Sequence, residues 1–180
     1  MRIGITGAQS VGKTTLLNAL RSEKCFQSYT VCDEVTREIR NMGFDINEAG
    51  SDVTQLLIMQ KHIVNLYMNE CMLTDRTSLD GLVYTTYLHL HGKVSKDTLN
   101  KAKQIYDKTI KDYDFLFYIP PEFDIVPDGV RSPDVVFRDE IVELFKGFLS
   151  EIDQDVIYVK GSVRQRVNIV LDSVDGWIDE

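Results

Sequence analysis

A chain of 180 residues with 43% hydrophobic and 27% charged side chains suits one globular domain, and it has no run of about eighteen apolar residues that could span a bilayer. The formal charge of -8 works against wholesale binding to a nucleic-acid backbone, since that affinity comes mostly from Lys and Arg neutralising phosphates; a local basic cleft stays open. Cys25, Cys32 and Cys71 lack CxxC or metal-ligand spacing and read as reduced structural thiols, and a first strand starting at Arg2 leaves no room for a signal or transit peptide, so the expected location is cytoplasmic.

Apolar runs and helical periods alternate from end to end, the pattern of an α/β domain with a parallel sheet covered on both faces, and a single domain over residues 1–180 is expected. A strand over Arg2 to Thr6 feeds the segment GAQSVGKT, Gly7 to Thr14, and a helix from Lys13 to about Ser22 turns Leu16, Leu17 and Leu20 toward the sheet. A second strand, about Tyr29 to Asp33, leads into a helix from Glu34 to about Met42, and GFDINEAGSD then breaks the chain. Asp52 opens a long helix with Val53, Leu56, Leu57, Ile63, Val64, Tyr67 and Met68 at core-facing intervals.

The third strand, Cys71 to Asp75, ends in CMLTDRTSLD, and helices over about Leu79 to His91 and Ser95 to Lys111 follow, separated by Gly92. DFLFYI, Asp114 to Ile119, is a continuous apolar strand of the kind buried in mid-sheet, and Pro120 with Pro121 terminates it. The polar stretch from Glu122 to Pro133 reads as a loop over the carboxyl edge of the sheet, making a short lid over approximately residues 120–138. A helix from about Phe137 to Ile152, a strand from Val156 to Lys160 and a helix from Ser162 to about Trp177 complete five strands.

The spacing GxxxxGKT carries the strongest chemical signal. Its glycines let consecutive backbone N–H groups converge on phosphate oxygens, and an apolar strand before it with an amphipathic helix after it is the confirming context. Gly7, Ala8, Gln9, Ser10, Val11, Gly12, Lys13, Thr14 and Thr15 are therefore the nucleotide-binding candidates, with Lys13 reaching the terminal phosphates and the Thr14 hydroxyl coordinating magnesium. A switch GTPase would read guanine with NKxD at a strand end, whereas DFLFYI is followed by PPEFD; a large remodelling ATPase would need more chain. A compact kinase fits, in which an acceptor docks beside the triphosphate and a lid closes over both.

Three further constellations suit two-substrate chemistry. Asp33 and Glu34 end the second strand on the same sheet edge as the phosphate loop, where one of them can accept a proton from an acceptor hydroxyl or simply cap the next helix. Asp75 can hold magnesium and Arg76 can meet acceptor phosphate or hydroxyls. Arg131 and Arg138, in and after the lid, can neutralise charge on a transferred phosphoryl group. Gly161 and Arg164, after the last strand, are candidates to border adenine, and Gln55 and Gln60 to contact a base or sugar. Met59, Tyr67 and Met68 read as core; His89 and His91 lie on different helix faces, and His62 has no partner motif.

The segments GAQSVGKTTL, DEVTREI, LTDRTSLD and YDFLFYIPPEFDIVPDGVRSP together resemble the ribosylnicotinamide kinase domain of the bacterial NAD-biosynthesis regulator, and more broadly the nucleoside and nucleoside-monophosphate kinase group of P-loop proteins. They are spread over most of the chain. The resemblance implies a three-layer α/β/α sandwich with a five-stranded parallel sheet in the order 2-3-1-4-5. It also implies ATP as phosphoryl donor, Mg2+ as cofactor, and a small nucleoside, nucleoside monophosphate or related metabolite as acceptor. By it, Glu34 or Asp33 is the base, Asp75 acts near the magnesium, and Arg131 with Arg138 belongs to the lid; Phe123 is the nearest aromatic where a nicotinamide-stacking side chain is expected. No nucleic-acid or membrane partner is implied, and monomer and homodimer both fit. The competing readings are an ATPase or nucleotide-gated switch acting on a macromolecular partner, and a polynucleotide 5'-kinase.

Overall fold

Ile3, Gly4, Ile5 and Thr6 are all buried, though successive strand residues point to opposite faces, so the first strand must be covered on both sides. The computed structural model, which describes residues 1–33, 35–122 and 135–178, shows how. Strands β1 (Arg2–Thr6), β2 (Thr30–Cys32), β3 (Met72–Asp75), β4 (Phe115–Tyr118) and β5 (Val156–Tyr158) form one parallel sheet in the order β2-β3-β1-β4-β5. The registers Ile5↔Asp75, Cys32↔Thr74 and Thr6↔Tyr118 bring the carboxyl ends of four strands to one edge. The chain runs from β1 to β2 and β3 on one side and then from β3 across β1 to β4 and β5 on the other, and a crevice at such a switch point is where ligands bind in folds of this kind.

The helices are α1 (Lys13–Arg21), α2 (Val35–Asn41), α3 (Asp52–Met68), α4 (Ser78–Leu90), α5 (Lys96–Thr109), α6 (Val135–Glu151) and α7 (Val163–Ile178). Helix α1 packs against α7, β1 and β3, while α4 packs against α3, α5 and α6. Leu16, Leu17 and Leu20 are buried as their spacing predicts. α4 is the central helix, buried almost all round from Ser78 to Leu88, and it starts at a capping box in which Thr77 and Asp80 satisfy each other's orphan groups. A smaller apolar cluster, Val35, Ile39, Ile46 and Ile58, holds α2 and the turn after it to α3, apart from the main core.

Helix α3 corrects an expectation. The spacing predicts Val53, Val64, Tyr67 and Met68 inward, yet they are exposed, and the buried face carries Thr54, Gln55, Ile58, Met59, His62 and Leu66. Met59 is core as expected; Tyr67 and Met68 are not. An apolar stripe predicts the buried face only where that face is meant to be dry. Here the inward face is partly polar because it borders a pocket. No helix among the described residues is long and apolar enough to cross a membrane.

Candidate active site

The loop between β1 and α1 is shaped by backbone that side chains rarely adopt. Gly7 has φ 144° and Gly12 φ 93°; a Cβ on Gly7 would lie 2.6 Å from the Ile119 carbonyl oxygen, and one on Gly12 would lie 2.9 Å from the Arg166 guanidinium. Helix α1 has no acidic residue in its first turn and no side-chain cap, so the positive end of its dipole faces the loop. The Lys13 ammonium is buried and donates to the carbonyls of Gly7 (2.7 Å) and Ala8 (2.6 Å), tying the loop into a ring. Thr15 is exposed, and the buried Gln9 accepts from the Tyr84 hydroxyl at 2.9 Å, so its side chain joins the loop to α4.

Thr14 and Asp75, the two metal candidates, are 61 residues apart in the chain and meet here: the Thr14 hydroxyl donates to Asp75 Oδ2 at 2.7 Å. The other carboxylate oxygen, Asp75 Oδ1, is buried without a hydrogen-bond partner. A hydroxyl and an ionisable carboxylate with an unused oxygen, at the foot of a phosphate loop, are the hard oxygen donors that magnesium takes alongside phosphates. The residues present therefore fit that ion.

The next residue turns the chain into a second compartment. Arg76 has φ 86°, a conformation costing a non-glycine residue about 1–3 kcal/mol that is commonly stored at functional sites. Its guanidinium lies 4.8 Å from the Tyr84 ring centre and 3.7 Å from Asp80 Oδ1. Asp80 Oδ2 accepts from the Thr6 hydroxyl at 2.6 Å and from the Thr77 N–H at 2.9 Å. Burial pushes the Asp80 carboxyl above the usual range, against the pull of Lys13 and Arg76. Asp80 thus joins β1, the start of α4 and Arg76. The TSLD spacing from Thr77 to Asp80 announces a helix start; nothing local announces the bond to Thr6.

Gln55 and His62 of α3, Arg76, and Asp80, Gly81 and Tyr84 of α4 line a pocket, which Thr36 and Asn47 close from the side of α2. Gln55 is buried and accepts from the Thr85 hydroxyl at 3.1 Å, whereas Gln60 is exposed and takes no part. His62, which has no motif to mark it, is 2% exposed. Burial, with the Arg76 cation adding to it, pushes its imidazole well below the ordinary histidine value, to about 4.

That shift has a consequence for stability. In the unfolded chain His62 takes a proton as pH falls through 6.5; in the folded chain it refuses one until about 4. The unfolded state then binds more protons across this window, so stability falls as pH is lowered through it, by on the order of 3 kcal/mol in all. His62→Gln is expected to flatten the stability curve between pH 6.5 and 4, measured by urea unfolding at several pH values; parallel curves for the two proteins would assign the loss to other groups.

An arginine that no motif marks ties down the phosphate loop. Arg164 is exposed, while Arg166, two residues on, is buried and donates to the Val11 carbonyl at 2.7 Å, to the Gly161 carbonyl at 2.9 Å and to Glu122 at 2.8 Å. Glu122 also accepts from the Gly161 N–H at 2.9 Å. Arg166 therefore fastens the phosphate loop to the end of β4 and to the turn before α7, a contact spanning 155 residues with no signal in the local sequence.

Arg138, expected on a mobile lid, is buried on the first turn of α6, where the adjacent Phe137 packs edge-on against Tyr84 and Tyr87. Asp33 follows β2, half-buried at the expected sheet edge. Glu34, Phe123, Arg131 and the lid from 123 to 134 lie outside the described residues. His89 Nδ1 sits 3.1 Å from the Val94 carbonyl oxygen, and His91 pairs with Glu140 at 2.7 Å.

The sheet order, the strand–loop–helix unit and the loop's backbone define a P-loop domain of the kinase-type α/β fold. A family model described as AAA domain matches residues 2–166, and the chain belongs to that family. Among solved structures it is similar to deoxyadenosine kinase from M. mycoides with the products dCMP and dCDP bound, with a TM-score of 0.74 at 14% identity, covering 98% of this chain and 99% of that one. It is also similar to NadR in complex with NR, with a TM-score of 0.72 at 20% identity, and to NadR in complex with NAD and AMP-PNP, at 0.69 and 19%. Each covers 99% of this chain but only 51% and 49% of the NadR chains, so this chain spans about half their length. No curated protein matches the sequence.

Proposed function

We propose that the chain is an ATP- and magnesium-dependent phosphotransferase acting on a nucleoside, a nucleoside monophosphate or a related small metabolite. One observation carries this reading: adjacent residues serve both compartments. Asp75 takes the hydroxyl of Thr14 at the phosphate loop, and Arg76 lines the pocket beside it. A donor and an acceptor held from neighbouring backbone positions are brought within reach of each other, which is most of what phosphoryl transfer needs. The ligands of the solved relatives, nucleotides in the M. mycoides kinase and NR in NadR, support the same assignment.

In this reading Lys13 and the loop amides hold the β- and γ-phosphates. Thr14 and Asp75 would hold the magnesium, which when bound supplies charge neutralisation on the phosphates. Asp33 or Glu34 orients the acceptor hydroxyl; for a monophosphate acceptor a phosphate oxygen is already nucleophilic, and the acidic pair holds sugar instead. In this reading Arg131 and Arg138 neutralise charge on the transferred group, and Gly161 borders the adenine. The acceptor pocket has room for little more than a water molecule. A nucleoside therefore needs α2 to move outward, which its separate small cluster on α3 permits without opening the main core.

The test is a screen with γ-labelled ATP and magnesium against nucleosides, nucleoside monophosphates, ribosylnicotinamide and a 5'-hydroxyl oligonucleotide, with free phosphate followed in parallel. A labelled small product is expected. Phosphate release with no labelled product, or label on the oligonucleotide alone, would overturn the assignment.

A further inference from the structure

We propose that His62 selects the acceptor, its Nε2 forming a hydrogen bond with an uncharged nucleobase in the pocket between α3 and α4. The proposal rests on the phosphotransferase reading above. His62 Nε2 is buried and has no hydrogen-bond partner, and buried ring nitrogens are normally paired. This one lies on a pocket wall, two helical turns along the same face of α3 from the buried amide of Gln55. The Gln55 oxygen already accepts from the Thr85 hydroxyl, which leaves its NH2 group to donate, while His62 Nε2 can donate or accept; the two can address separate polar atoms of a base. Tyr84 offers an aromatic surface, although its face is turned to Arg76.

Charge narrows the choice of ligand. Among the described residues that line the pocket, Arg76 is the one permanent cation and Asp80 the one carboxylate, and they face each other. His62 stays uncharged because burial and Arg76 hold its proton off. The lining is thus close to neutral. A pyridinium ring would meet the Arg76 cation with no anion left to balance it, and a phosphate dianion would compete with Asp80 for a single guanidinium. A neutral base asks only for hydrogen bonds, which the unpartnered His62 Nε2 and the Gln55 NH2 group can supply.

The experiment measures kcat and KM for adenosine, deoxyadenosine, cytidine, deoxycytidine, guanosine and thymidine, with ribosylnicotinamide and AMP beside them, in the wild type, His62→Leu and His62→Gln. His62→Leu is expected to raise the KM of the best nucleoside about tenfold and to narrow the spread among nucleosides, with KM for ATP within about twofold. His62→Gln, which keeps a donor and an acceptor, is expected to restore most of the loss. An acceptor KM unchanged in His62→Leu would overturn the role of His62 and leave the kinase reading standing. Ribosylnicotinamide or AMP as the best wild-type acceptor would overturn the uncharged base, and no turnover of any acceptor would overturn the underlying reading with it. Should His62→Leu not fold, the 15N shift of His62 Nε2 decides when the wild type is titrated with its best nucleoside: a shift supports the contact, and none overturns it.

Discussion

Lys13→Ala is expected to lower kcat/KM for phosphoryl transfer about a thousandfold or more, roughly 4 kcal/mol of transition-state stabilisation, while the chain stays folded. The ammonium is buried against the carbonyls of Gly7 and Ala8 and lies close enough to Asp80 to oppose the upward push of burial on its carboxyl. It is therefore both the clasp of the loop and a positive charge fixed near the positions where phosphate oxygens would sit. Its removal takes the charge away from a site screened from water, where a fixed cation is worth most. Two loop carbonyls lose a donor as well, at about 1–3 kcal/mol, which a domain with this much core can absorb. Steady-state rates and ATP affinity, with circular dichroism as the check on folding, separate the two effects. Full turnover by a folded variant would remove the loop from the chemistry.

The readable parts of this site were those whose residues are neighbours in the chain. β1, the glycine loop and α1 are contiguous, so a run of 20 residues carries the whole unit, and its burial pattern follows from spacing alone. The strand order was open to resemblance rather than to periodicity, because pairing between β1 and β4 joins segments more than a hundred residues apart. Helix α3 turns a different face inward from the one its apolar spacing predicts, for a physical reason: Gln55 and His62 line a pocket, so the inward face is partly polar, and Val53, Val64, Tyr67 and Met68 lie outside it. Arg166 and Asp80 carry no mark in the sequence for another reason. Each looks like an ordinary helix residue locally, and its role lies in a bond to Val11 or Thr6 that only the folded chain supplies.

Asp75→Asn should be nearly silent in the fold and costly in function. Asparagine keeps the shape of the side chain and an oxygen that can accept from the Thr14 hydroxyl, so the link between β3 and α1 is retained. What it removes is the negative charge, and with it the donor that a divalent cation prefers over a neutral amide. The magnesium concentration for half-maximal rate is expected to rise tenfold or more and kcat to fall about a hundredfold, with excess magnesium recovering part of the rate. The pocket registers the change too. Asp75 is the group that favours the protonated form of His62, opposing burial and Arg76, so its neutralisation pushes that imidazole further down. A magnesium titration of activity on the two proteins, with 15N spectra of His62 alongside, reads both compartments in one variant. An unchanged magnesium requirement would take Asp75 out of the metal site, while a displaced His62 signal beside it would still show that the two compartments share this carboxylate.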